Sequence, residues 1–85
     1  MKTIKLKLLI DKDQAQGAAN QCIRDAVPFS CVPEMFTGKE VSAFTFGGEA
    51  VRVINFIHTL GCKGVMLTEE RIKILEDATT SNENS

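Results

Sequence analysis

Between Lys2 and Ile10 the apolar and polar positions alternate: Ile4, Leu6, Leu8 and Ile10 fall on one face, Thr3, Lys5 and Lys7 on the other. A period of two is that of a β-strand with one wet face, and only Leu9 breaks it on the polar side. After Asp11 the period changes. Ala15, Ala18, Ala19, Cys22, Ile23, Ala26 and Val27 recur at steps of three and four, which predicts a helix whose buried stripe is made of small residues. Asp13, followed three residues on by Gln16, fits a capping box at its start, and Pro28 is expected to end it after Val27.

Phe29–Phe36 reads as an edge strand or a loop with strand character, because Pro33 cannot donate to a central ladder. Thr37-Gly38-Lys39-Glu40 is a turn by composition. Val41–Phe46, rich in β-branched and aromatic residues, predicts a strand that Gly47-Gly48 closes as a tight turn. A second helix is expected from Glu49 to Leu60 with Gly61 as its C-terminal cap. Its central stripe is Ala50, Val53, Ile57 and Leu60, but Val51, Ile54, Phe56 and His58 widen the apolar arc beyond what one contact face needs. Cys62–Leu67 is a short strand candidate. Thr68–Ala78 can be read as a closing helix, with Thr68 as N-cap and Glu69 and Glu70 in its first turn, or as a strand on Ile72 and Ile74; the capping signal favours the helix.

This order predicts one α/β (α+β) domain over residues 1–78 with a polar, disordered tail at 79–85. The expected architecture is a ferredoxin-like βαββαβ sandwich: an antiparallel sheet with two helices on one face, plus a C-terminal helix or strand. The first and third strands would be central and the Pro-bearing second strand an edge. At 85 residues there is room for one core only.

Charge and composition narrow the function. Ten basic against 11 acidic residues leave a formal charge of −1, which disfavours generic binding to nucleic acid or to anionic membranes. The basic residues gather in the first half and the acidic ones in the second, a polarity suited to docking. The N-terminal segment lacks the continuous apolar run and small-residue cleavage site of a signal peptide, and no stretch is long enough to span a bilayer. Three cysteines cannot all pair within the chain, so reduced thiols and a cytoplasmic location are expected.

Candidate chemistry is sparse. Cys22, Cys31, His58 and Cys62 supply the residue types of a three-Cys, one-His zinc site. They lack paired spacing, however, and Cys22 belongs to an apolar stripe, so burial as small hydrophobes is the better account. Cys31 or Cys62 with His58 would make a nucleophile pair, but nothing orients the base or supplies an oxyanion donor. Gly47-Gly48 ahead of a helix could cradle a phosphate, but Glu49 repels the same anion. No cofactor, no metal and no enzymatic activity are expected.

Lys39–Phe46 resembles the third strand of RNA-recognition motifs only loosely. The stacking positions of that module fall here on Val41 and Ala43, while Phe44 and Phe46 would point into the core. A nucleic-acid alternative would therefore rest on Lys2, Lys5, Lys7 and Lys12 without stacking rings.

The leading expectation is a small non-enzymatic protein–protein interaction module, a regulator or inhibitor of a larger complex, with a homodimer among its candidate assemblies. Its contact residues would be Val51, Ile54 and His58 on the second helix and Met35 and Phe36 in an exposed segment, since apolar, Met and aromatic side chains concentrate at interfaces. The competing account has the C-terminal helix covering Val51 and Ile54 while Phe36 plugs the core.

Overall fold

The computed structural model describes residues 2–77; the tail expected at 79–85 lies outside the described residues. The elements are β1 (Thr3–Asp11), α1 (Lys12–Asp25), β2 (Phe29–Phe36), β3 (Lys39–Glu49), α2 (Ala50–Cys62) and β4 (Ile72–Asp77). The fold is mixed α+β, with one four-stranded sheet in the order β2-β3-β1-β4 and every neighbouring pair antiparallel. β1 and β3 are central, and β2 is an edge.

The alternation in β1 does what its period requires. Ile4, Leu6, Leu8 and Ile10 face the helices and join Phe44 and Phe46 of β3 in one core with Ala18 and Cys22 of α1 and Val53, Phe56, Ile57 and Leu60 of α2. Leu6 pairs with Phe46 and Leu8 with Phe44 across the ladder. The rings of Phe29, Phe44 and Phe46 stack in a row at 5.7 Å centroid spacing, and Phe56 meets Phe46 edge-on at 5.1 Å. The off-period Leu9 has a partner as well. On the open face of the sheet it forms a second, smaller cluster with Val41 and Ala43, against which Phe36 packs.

Several local expectations are corrected. No capping box forms at Asp13, which lies inside the helix: α1 starts at Lys12 after Asp11, with no side-chain cap bond, and the Asp11 carboxylate is engaged by Arg71 at 3.0 Å. The stripe of α1 is displaced too. Ile23 is exposed and Gln21 is buried, since Ile23 lies about 140° around the helix from Ala18 and points away from the sheet. α1 ends at Asp25, two residues short of the expected stop. Ala26 takes a left-handed conformation (φ 57°, ψ 44°), and the amides of Ala26 and Val27 reach back to the carbonyls of Ile23 and Cys22 in a Schellman arrangement. A side chain in this region costs about 1 kcal/mol relative to glycine. Ala26→Gly is therefore expected to raise stability by roughly that amount, less the entropy glycine loses on folding, read as a higher urea midpoint with an unchanged slope.

Gly47-Gly48 is not a turn. β3 runs through both glycines, which pair with Lys5 and Ile4; Gly48 adopts φ 135°, a conformation that side chains oppose. The strand passes straight into α2 at Ala50. Gly61 is inside α2 and not its cap: a Cβ there would stand 2.8 Å from Leu67 Cδ1. The left-handed residue after the helix is Gly64 (φ 98°).

Cys62–Leu67 forms no strand, and Pro33–Phe36 is part of β2 and not a loop. The expected closing helix over 68–78 is also replaced along its described residues, 68–77. Thr68–Arg71 is a turn in which the Thr68 carbonyl accepts from the amides of Arg71 and Ile72, and Ile72–Asp77 pairs with β1. The free edge of β1 offers a row of backbone partners that a helix could not satisfy, and the Ile72/Ile74 alternation fits it.

Candidate functional site

α2 is apolar on two sides. Val53, Phe56, Ile57 and Leu60 are buried in the core. Val51 and Ile54 nevertheless remain 66% and 55% exposed, and His58 is exposed beside them. At i, i+3 and i+7 these three share one outward stripe. No described element covers it, because the residues expected to form a helix over it are strand β4 on the far edge of β1. Beside Val51 lies an open groove of about 400 Å³ between α2 and the end of α1, lined by Asp25, Arg52, Asn55, Phe56 and Thr59. The stripe therefore borders a concavity with a charged rim.

Met35 and Phe36 do not join this surface as a pair. Consecutive residues of a strand project to opposite faces. Met35, opposite Glu40, lies on the helix side of β2 and is exposed; Phe36, opposite Lys39, lies on the open face. Phe36 is corrected from an exposed contact residue to a half-buried one. Its ring packs on the Leu9–Val41–Ala43 cluster with the Arg71 guanidinium 5.0 Å above its centroid.

Arg71 was not singled out in the sequence, and it ties the open face together. Its Nη1 donates to Asp11 Oδ1 at 3.0 Å and to the Leu9 carbonyl at 3.4 Å, while the Leu9 amide donates to the Arg71 carbonyl at 2.9 Å. The partners are 60 and 62 residues away in the chain, and no local pattern announces such a contact.

The four lysines of the nucleic-acid alternative are dispersed. Lys5 and Lys7 share the open face of β1; Lys2 precedes the strand and Lys12 begins α1 at its other end, roughly 30 Å along the chain from Lys2. Lys7 lies directly opposite Lys73 but is paired with Glu34 at 3.0 Å, and Lys12 is paired with Glu40 at 3.1 Å. Phe44 and Phe46 are buried in the core and Val41 and Ala43 in the open-face cluster.

The cysteines sit in distinct settings. Cys22 is buried, and burial first, then the charges of Asp25 and Cys31, push its thiol up to about 12. Cys31 and Cys62 are exposed. Among the described residues no group of three or more His, Cys, Asp or Glu side chains is placed to hold a metal ion. Because thiolate is the reactive form, iodoacetamide on the folded protein is expected to modify Cys31 and Cys62 and to spare Cys22, with the third adduct appearing only in denaturant; intact-mass spectrometry checks it.

No protein-family model matches the chain, and no curated protein matches it. A solved structure does. It is a functionally unknown protein from Pediococcus pentosaceus, similar at a TM-score of 0.61 and 20% identity over 68% of this chain and 61% of that one. At this identity the likeness speaks to the fold alone: a mixed α+β domain with an antiparallel four-stranded sheet and two helices. Among the described residues no helix is long and apolar enough to cross a membrane.

Proposed function

We propose that the chain is a small, non-enzymatic protein-interaction module that docks a protein partner through the outward stripe of α2, as an accessory regulator or inhibitor of a larger complex. The observation that supports this reading is the exposure of Val51 and Ile54 on a helix whose opposite side already serves the core. Apolar side chains placed in line on one helix turn after another fit a groove-and-stripe contact. His58 and Asn55 along the same surface, and Arg52 and Asp25 around the neighbouring groove, offer the polar rim that such interfaces carry. The βαββαβ order with strands arranged β2-β3-β1-β4, all antiparallel, supports reading the scaffold as a ferredoxin-like sandwich. Exposed, unpaired Cys31 and Cys62 suit a reducing, cytoplasmic setting.

Ile54→Glu tests the reading. Because Ile54 is exposed, the variant is expected to keep its circular dichroism and thermal midpoint while losing about tenfold or more in affinity for a partner captured from the native host, as apolar anchors at an interface centre do on replacement by charge. Retention of every captured partner at full affinity by the Ile54→Glu protein would remove the stripe from consideration.

A further inference from the structure

β2 is exposed on both faces, and among the described residues no strand pairs with its outer edge. Val32 is 56% and Met35 62% exposed, Phe29 is more than a third exposed, and the only charged residue on the strand is Glu34. Natural edge strands are guarded by lysines, bulges or prolines; this one carries a single Pro33. The other edge, β4, is bulged where it meets Lys5 and Leu6.

The direction of each backbone group on β2 follows from the hairpin. Thr37 (φ 50°) and Gly38 (φ 80°) form a two-residue turn of the type I′ kind, so Phe36 and Lys39 are its closing hydrogen-bonded pair. Counting by twos, Phe36, Glu34, Val32 and Ser30 direct their amides and carbonyls to β3, and Met35, Pro33, Cys31 and Phe29 direct theirs outward. Pro33 therefore falls where its missing N–H interrupts the outer edge.

We infer that β2 pairs antiparallel with β2 of a second copy about a two-fold axis at Val32, joining two sheets into one. In this register Phe29 lies opposite the second copy's Met35 and Cys31 opposite its Pro33 on the helix face. Val32 lies opposite itself and Ser30 opposite Glu34 on the open face. Every outward donor of the strand, Phe29, Cys31 and Met35, finds a carbonyl, and the missing amide of Pro33 is the sole gap. Centring on Cys31 would leave Met35 without a partner in the strand; centring on Pro33 would strand Phe29 and set two pyrrolidine rings face to face. The register that best accommodates Pro33 also sets every exposed apolar side chain of β2 against an uncharged one and opposes no like charges, as an isologous contact requires. A formal charge of −1 per chain adds little repulsion.

Pairing through one short edge buries a small area, so the dimer belongs to the weak class. Sedimentation over roughly three decades of concentration is expected to show a reversible monomer–dimer equilibrium, which Val32→Lys weakens by about tenfold or more without changing the circular dichroism of the monomer. In a Cys31→Ser, Cys62→Ser background, Val32→Cys fixes the register. Val32 is a non-hydrogen-bonded position across the axis, where Cα atoms stand about 4.5 Å apart, within the roughly 4.4–6.8 Å range of disulfides. In a glutathione buffer Val32→Cys is expected to form covalent dimer at least about tenfold faster than Ser30→Cys, its neighbour on the same face. A monomer at all concentrations, or Ser30→Cys cross-linking as fast as Val32→Cys, overturns the inference. It stands apart from the α2 reading: Ile54→Glu is expected to leave the dimer intact, and an Ile54→Glu monomer beside an unaffected Val32→Lys dimer would also overturn it.

Discussion

Phe46→Ala is expected to cost about 3–5 kcal/mol. The ring is fully buried in the middle of β3, stacked against Phe44 and met edge-on by Phe56 of α2, with Leu6 of β1 beside it. It thus touches the two central strands and a helix at once. A chain of 85 residues holds a total of about 4–13 kcal/mol at the usual 0.05–0.15 kcal/mol per residue. The variant should lie near or below the threshold of folding at 37 °C, and urea unfolding at lower temperature should show the midpoint falling sharply. Phe29→Ala, whose ring stacks at the edge of the row and is partly in water, should cost less than half as much. Equal losses for the two would mean that the row of rings is not centred on β3.

Arg71→Ala is expected to cost about 1–3 kcal/mol, the combined loss of charge-assisted hydrogen bonds and a cation–π contact. The Arg71 side chain is only 13% exposed although its carboxylate partner is 45% exposed, which separates it from a solvated ion pair of little value. Its loss should be felt in two places: at β4, whose turn it anchors to β1, and at Phe36, which loses its cover. Hydrogen exchange should therefore accelerate in Ile72–Leu75 more than in β3. Arg71→Lys should restore less than half of the loss, because an ammonium cannot both stack flat on Phe36 and reach Asp11 and the Leu9 carbonyl. Full rescue by lysine would show that charge alone matters there.

Much of the framework was legible in the chain. The alternation of Ile4, Leu6, Leu8 and Ile10 placed β1 and its buried face, Pro33 marked β2 as an edge, and the spacing of Val53, Ile57 and Leu60 oriented α2 toward the core while leaving Val51, Ile54 and His58 outward. These signals are local: periods of two and 3.6 are read within one element. The errors share a cause. Thr68 with Glu69 and Glu70 is a genuine helix-start signal, yet pairing with β1 outweighed it, because the edge of a central strand has many unsatisfied groups and a short terminal helix would satisfy none of them. Asp13 suggested a capping box, but α1 starts one residue earlier, at Lys12, after an Asp11 that Arg71 holds. Gly47-Gly48 suggested a turn, but β1 supplied a ladder for both. In each case a partner distant in the chain overrode a preference of a few residues.

The candidate surfaces divide in the same way. By itself the sequence determined the surplus of apolar positions on α2, the absence of charge from most of β2 and the near-neutral charge of the whole. Only the tertiary structure decided which of those positions stay in water: Ile23 does and Leu9 does not, Met35 does and Phe36 largely does not. The reason is physical. A sequence states how much apolar surface each element carries, but which neighbour covers it depends on the order of strands in the sheet and on side chains, such as that of Arg71, that arrive from the other end of the chain.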